Sequence, residues 1–190
     1  HTYFFRNEPQ FKALKEKILP EIISFKLNQK LESKPSLRIW SAGCSTGEEP
    51  YTIAMIVQEV IPDFKDWDIQ ILATDASTKV LSDAVKGVYS LSAMGRTPQD
   101  YQDKYFDILP TSSQEKYKIH DDLKEMVKFG FFNLIDDEYP RGYDIIFCRN
   151  VVIYFDTETI LKVMHKINES LNKQGYLLIG YSESLQFISD

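Results

Sequence analysis

Between residues 7 and 29 apolar side chains recur at helical spacing, with Phe11, Leu14, Ile18, Ile22, Ile23 and Leu27 on one face. Asn7 stands where a helix cap would, and Pro20 is expected to kink or split this helix. The period then changes. Residues 37–42 form a mostly apolar run that reads as a buried strand, and 48–60 read as a helix with Pro50 in its first turn. A second apolar strand covers 69–74 and ends at Asp75, after which Ser77 caps a helix running to Lys86. Further along, 143–147 read as a strand, 157–171 as a helix that Gly175 ends, and 176–181 as a last strand. Strands alternating with helices predict an α/β fold, a largely parallel sheet with helices on both faces.

Residues 88–132 break this rhythm. The stretch "YKIHDDLKEMVKFGFF" reads as short antiparallel strands around a turn near Asp121–Asp122, so a small β-rich insertion is predicted there.

Composition narrows the class. At 190 residues, 43% hydrophobic and 13% aromatic, the chain fits one globular domain with a substantial core. No apolar run approaches the ~18 residues that span a bilayer, and no signal-peptide pattern leads from His1. The chain starts without a methionine and stops inside an unfinished element, so it is read as an excised domain. Its two cysteines, Cys44 and Cys148, make neither a disulfide framework nor a CxxC metal pair. A cytoplasmic setting is therefore expected, with no metal. A net charge of −6 argues against a nucleic-acid partner.

The loop "SAGCSTGEEPY" carries the first chemical signal, because it joins a strand to a helix through Gly43 and Gly47. A triphosphate loop needs a lysine and a hydroxyl after its last glycine, whereas Glu48 and Glu49 stand here and repel phosphate. The GxGxxG dinucleotide pattern is missing too. A ligand with a cationic centre and a ribose fits better, and S-adenosylmethionine has both. Small residues let the backbone approach it, Glu48 or Glu49 attracts its ammonium or sulfonium, and Asp75 stands where a carboxylate meets ribose hydroxyls. Each acid alone is as easily a helix-end residue. Asn133, Leu134, Cys148, Arg149 and Asn150, in "FFNL" and "FCRN", add polar strand ends on the same edge. Strand-end asparagines also form turns, and Leu134 also suits a core.

In order, "TYFFR", "WSAGCSTGEEPYTIA", "ILATDAS", "FFNL", "IFCRNVVIYFD" and "GYLLIGYSES" resemble the catalytic domain of CheR-type chemotaxis methyltransferases, from Thr2 to about Ser184. The resemblance implies a Rossmann-like methyltransferase sheet of seven strands, with residues 88–132 as the family's small β-subdomain. It implies methyl transfer from S-adenosylmethionine to glutamates of chemoreceptor cytoplasmic helices, releasing S-adenosylhomocysteine, by a cytoplasmic monomer. By motif, Thr2 and Arg6 close over the cofactor and Gly43 belongs to its loop. Glu49 holds its amino group and Asp75 its ribose, while Asn133, Leu134, Cys148, Arg149 and Asn150 line the adenosine and methionyl pocket. Arg6 and Tyr154 face the transferring methyl group. The family's helical N-terminal domain, the asparagine before "TYFFR" and the final strand after "GYSES" are expected but not found in the chain. Two rival readings share these cofactor residues: a methyltransferase for another protein or a small carboxylate, and a non-catalytic sensor of the cofactor.

Overall fold

The computed structural model describes residues 2–29, 33–61, 63–110 and 114–181. Its strands are β1 (Ser36–Ala42), β2 (Asp68–Asp75), β3 (Val88–Ser90), β4 (Phe106–Leu109), β5 (Lys116–Ile119), β6 (Val127–Phe131), β7 (Tyr143–Cys148) and β8 (Leu171–Ile179). Five of them form a parallel sheet in the order β6-β2-β1-β7-β8, and the other three an antiparallel sheet in the order β3-β5-β4.

Both faces of the parallel sheet are covered, which is why its central strands β1 and β7 are buried almost throughout. Leu37, Ile39, Ile145 and Phe147 point to one side, where they join the helix Glu48–Val60 and the first helix in a single core. Trp40, Ala42, Ile146 and Cys148 point to the other, against Val163, Met164 and Ile167 of the helix Thr157–Ser170. Trp40 keeps its polar atom satisfied by donating from Nε1 to the Thr74 hydroxyl at 2.9 Å.

Pro20 does not break the first helix. Glu8–Ala13 leads into a π-helical turn, Leu14–Ile18, and the helix continues as Leu19–Leu27. The wider turn falls just before the proline, where the ring would otherwise crowd the preceding turn. Asn7 gives no capping bond; it stands at φ +67° and bends the chain into the helix. Ser77 does cap, accepting from the Val80 N–H.

Three boundaries differ from the sequence reading. Asp121 and Asp122 begin a helix, Asp121–Met126, rather than a turn, because Leu123 and Met126 sit three apart and are both buried. The strand that follows, β6, pairs in parallel with β2 and so belongs to the central sheet. Within 88–132 the antiparallel strands thus end at Ile119. The helix predicted to run to Leu171 and stop at Gly175 ends at Ser170, where Leu171 turns extended. Gly175 lies instead in a register shift of β8 opposite β7, next to Gln174 at φ +65°. Of the seven strands implied, five lie in the central sheet among the described residues, and the residues that follow "GYSES" lie outside them.

Candidate functional site

The chain leaves β1 towards β2 on one side and reaches β7 on the other, so the sheet changes winding direction at β1. In open parallel sheets ligands lie beyond the carboxyl ends of the strands at such a point. Gly43 follows β1, Asp75 closes β2, Asn133 lies just past β6, and Arg149 follows β7. A cleft of about 250 Å³ there is lined by Thr2, Tyr3, Arg6, Glu49, Arg149 and Ile153 among others. It adjoins one of about 360 Å³ lined by Asp75, Phe132, Asn133, Leu134, Val151 and Phe155, and Gly43, Ser45 and Asn150 line both.

The loop after β1 is held against β2. The N–H groups of Gly43 and Cys44 donate to the Thr74 carbonyl at 2.8 and 2.9 Å. Gly43 stands at φ +80°, and a Cβ there would come within 2.2 Å of Val151 Cγ2, so only glycine lets the two loops meet. Ser45 N–H donates to one oxygen of Asp75 at 2.9 Å, and Ser77 N–H to the other at 3.0 Å. The carboxylate is thereby oriented, and each oxygen keeps a lone pair for a ligand hydroxyl.

Glu49 sits in the first turn of Glu48–Val60. It accepts from the buried Ser41 hydroxyl at 2.8 Å through Oε1, while Oε2 lies 3.3 Å from Arg149 Nη1. The Arg149 side chain is only 2% exposed; it donates to the Arg6 carbonyl at 2.5 Å and lies over the Phe11 ring. Glu48 faces away. It is buried, takes the Thr46 hydroxyl, and burial holds its carboxyl above the ordinary carboxylate range. Of the two adjacent acids, Glu49 alone lines the cleft.

Thr2 and Arg6 reach the cleft because the residues between them are anchored. Phe4 is fully buried and donates from its N–H to the Ala93 carbonyl, and Phe5 does so to the Thr52 hydroxyl. Phe5 stands at φ +56°, a left-handed bend that sends both rings inward and Arg6 outward.

The remaining residues divide. Asn150, at φ +59°, lines both halves of the cleft. Asn133 also lines it, yet its side chain is engaged in its own turn, taking the Ile135 N–H and donating to Asp136. Leu134 combines wall and core, at 7% exposure. Cys148, the last residue of β7, is buried in the core beside Ile146 and lines neither half, so the structure does not bring it together with the others. Tyr154 ends a short 3-10 turn, Val152–Tyr154, and its side chain lies outside the described residues.

Sequence reasoning missed Ser41 and Phe11, and it took Ser45 only as a small residue that lets the loop backbone approach the ligand. Ser41 had a signal, a polar residue at an inward position of a buried strand. Phe11 had none, since a ring under a guanidinium leaves no pattern.

Over residues 1–190 the chain matches the family described as "CheR methyltransferase, SAM binding domain". The chain belongs to this family. A chemotaxis protein methyltransferase of Borreliella burgdorferi is 42% identical over 98% of this chain and 65% of its own length. A probable chemotaxis protein methyltransferase of Rhizobium etli is 37% identical over 96% of this chain and 66% of its own. The chain thus spans about two-thirds of the length of these relatives. The crystal structure of the DszA carbon methyltransferase superposes with a TM-score of 0.54 at 14% identity, covering 90% of this chain and 35% of that one, a likeness of fold. S-adenosylmethionine, the ligand of the family's domain, suits the donor set here. The Glu49–Arg149 pair offers opposite charges to an amino acid's ammonium and carboxylate. Asp75 offers acceptors to a ribose, and Phe132, Leu134, Val151 and Phe155 offer apolar walls to a base.

Among the described residues no helix is long and apolar enough to cross a membrane.

Proposed function

We propose that the protein transfers the methyl group of S-adenosylmethionine to glutamate side chains of chemoreceptor cytoplasmic helices, yielding glutamate methyl esters and S-adenosylhomocysteine, and that it works in the cytoplasm as a monomer. The observation that carries the cofactor half is the Glu49–Arg149 pair facing the same cleft as the oriented Asp75 carboxylate. The substrate half rests on the family and on its chemotaxis relatives.

In this reading Glu49 takes the cofactor's ammonium and Arg149 its carboxylate. Asp75 takes the ribose hydroxyls. Thr2, Gly43 and Asn150 close the methionyl end, while Asn133 and Leu134 hold the adenine side. The bound cofactor supplies a methyl group on a sulfonium, whose carbon–sulfur bond breaks as the carboxylate oxygen bonds to carbon, the electron pair staying on sulfur. A glutamate is already ionised at neutral pH, so the residues need move no proton. Their task is to place the carboxylate oxygen in line with the departing sulfur. Arg6 orients that carboxylate, and the Tyr154 hydroxyl fixes its second oxygen. Opposite charges cancel in the transition state, so excluding water from the cleft helps, and too tight a clamp by Arg6 would hinder.

Transfer from methyl-labelled S-adenosylmethionine onto receptor helices tests the reading. Label released by mild base as methanol supports glutamate esters. Base-stable label points to another acceptor, and bound cofactor with no transfer to any receptor points to a sensor.

A further inference from the structure

Tyr89 lies in β3 of the small antiparallel sheet, outside both halves of the cleft, yet it touches the loop after β1 and the N-terminal segment that wall it. Its hydroxyl donates to the Thr46 carbonyl at 2.8 Å, in the loop that carries Gly43 and Ser45 and leads into the helix of Glu49. A Cβ on Gly47 would come within 3.0 Å of that same hydroxyl, so the loop backbone rests directly on it. Its ring meets Phe4 edge to face with centroids 4.7 Å apart, and Phe4 anchors the segment whose Thr2 and Arg6 line the cleft. Phe4 is held from the small sheet a second time, by Phe106 of β4 at 5.1 Å. Tyr89 itself is 6% exposed, and burial pushes its hydroxyl well above the usual range, keeping it a donor at any pH the protein meets.

From this geometry we infer that Tyr89 is a positioning residue through which the small sheet holds the loop after β1 and the Thr2–Arg6 segment at the separation the cofactor requires. The inference rests on the reading of the cleft as an S-adenosylmethionine site. It gives the small sheet a part in cofactor binding, although none of its strands lines the cleft. By linkage, a cofactor that needs the two walls in register also stiffens the sheet that sets them.

The test compares Tyr89→Phe with Tyr105→Phe in the intact protein. Tyr105 lies in the same core and loses a bond at least as strong, from its hydroxyl to the Glu59 carboxylate at 2.6 Å, while its ring meets Tyr101 rather than Phe4. Calorimetric titration with S-adenosylhomocysteine should show affinity about threefold to tenfold weaker for Tyr89→Phe, the worth of one hydrogen bond, and unchanged for Tyr105→Phe. Without ligand, hydrogen exchange at the amides of Gly43, Cys44 and Gly47 should quicken in Tyr89→Phe alone. Unaltered affinity and exchange in Tyr89→Phe would overturn the inference. Equal losses in both variants, tracking their thermal stability, would also overturn it by reducing Tyr89 to a structural part. Absence of binding by the unaltered protein would overturn the cofactor reading, and this inference with it.

Discussion

Arg149 Nη1 lies 3.3 Å from Glu49 Oε2, so the end of β7 and the start of the helix after β1 are joined by a buried ion pair on the floor of the cleft. Neither residue could occupy its place alone, because a charge out of water needs a partner. Arg149 further bonds the Arg6 carbonyl, which ties the N-terminal segment to the same point. Removing one member should therefore cost more than its contact with a ligand. Glu49→Ala is expected to destabilise the fold by about 3 kcal/mol, the lower end for a broken buried pair because Glu49 keeps some exposure. Urea denaturation measures it, and Glu49→Ala combined with Arg149→Met should recover part of the loss. Full additivity of the two changes would show that the pair is not coupled.

Gly43→Ala should be destabilising by about 1–3 kcal/mol, since it combines a left-handed backbone with a methyl 2.2 Å from Val151 Cγ2. Adding Val151→Ala removes the collision but not the strained φ. Partial recovery in thermal melts is the expected outcome; none at all would place the cost wholly in the backbone.

Glu48 gives a pH signature. Burial is the largest influence on it and raises its pKa above the ordinary carboxylate value, opposed by the Thr46 hydrogen bond. The folded state then holds the proton more tightly than the unfolded chain, so this group's contribution to stability is present below the unfolded value and lost as pH climbs through the folded one. Relative to the unaltered protein, Glu48→Gln should gain stability as pH rises above the ordinary carboxylate value of about 4.5. A widening deficit for the variant over that range would contradict the sign.

Arg6→Ala should lower methyl transfer by tenfold or more, about 1.4 kcal/mol of barrier, with a smaller loss of cofactor affinity. The comparison is kcat on receptor helices against a binding titration. Equal losses would place Arg6 among the cofactor's ligands alone.

Much of the central sheet was legible because its strands are buried on both faces and its helices alternate with them, leaving two clean periods. "SAGCSTGEEPY" was legible as a cofactor loop because two acids exclude phosphate. The region after Ile119 was misread for a physical reason: Asp121–Met126 is too short to show a helical period, and β6 is apolar on alternate positions like any edge strand. Gly175 looked like a helix stop because a glycine in a strand's register shift and one after a helix look alike in one dimension. Cys148 shows the limit of strand-end reasoning. Period 2 sends it inward while its neighbour Arg149 reaches the cleft, and only the register of β7 against β1 decides which is which. Phe4 and Tyr89 act across long separations, so no local pattern announced them.

The central claim is that the strand ends of β1, β2 and β7 build one S-adenosylmethionine site. Calorimetric titration with S-adenosylhomocysteine tests it most directly, run on the unaltered protein and on Asp75→Ala. The account predicts one site per chain, with affinity at least tenfold weaker in the variant. Absence of binding, or an unchanged dissociation constant in Asp75→Ala, would contradict it.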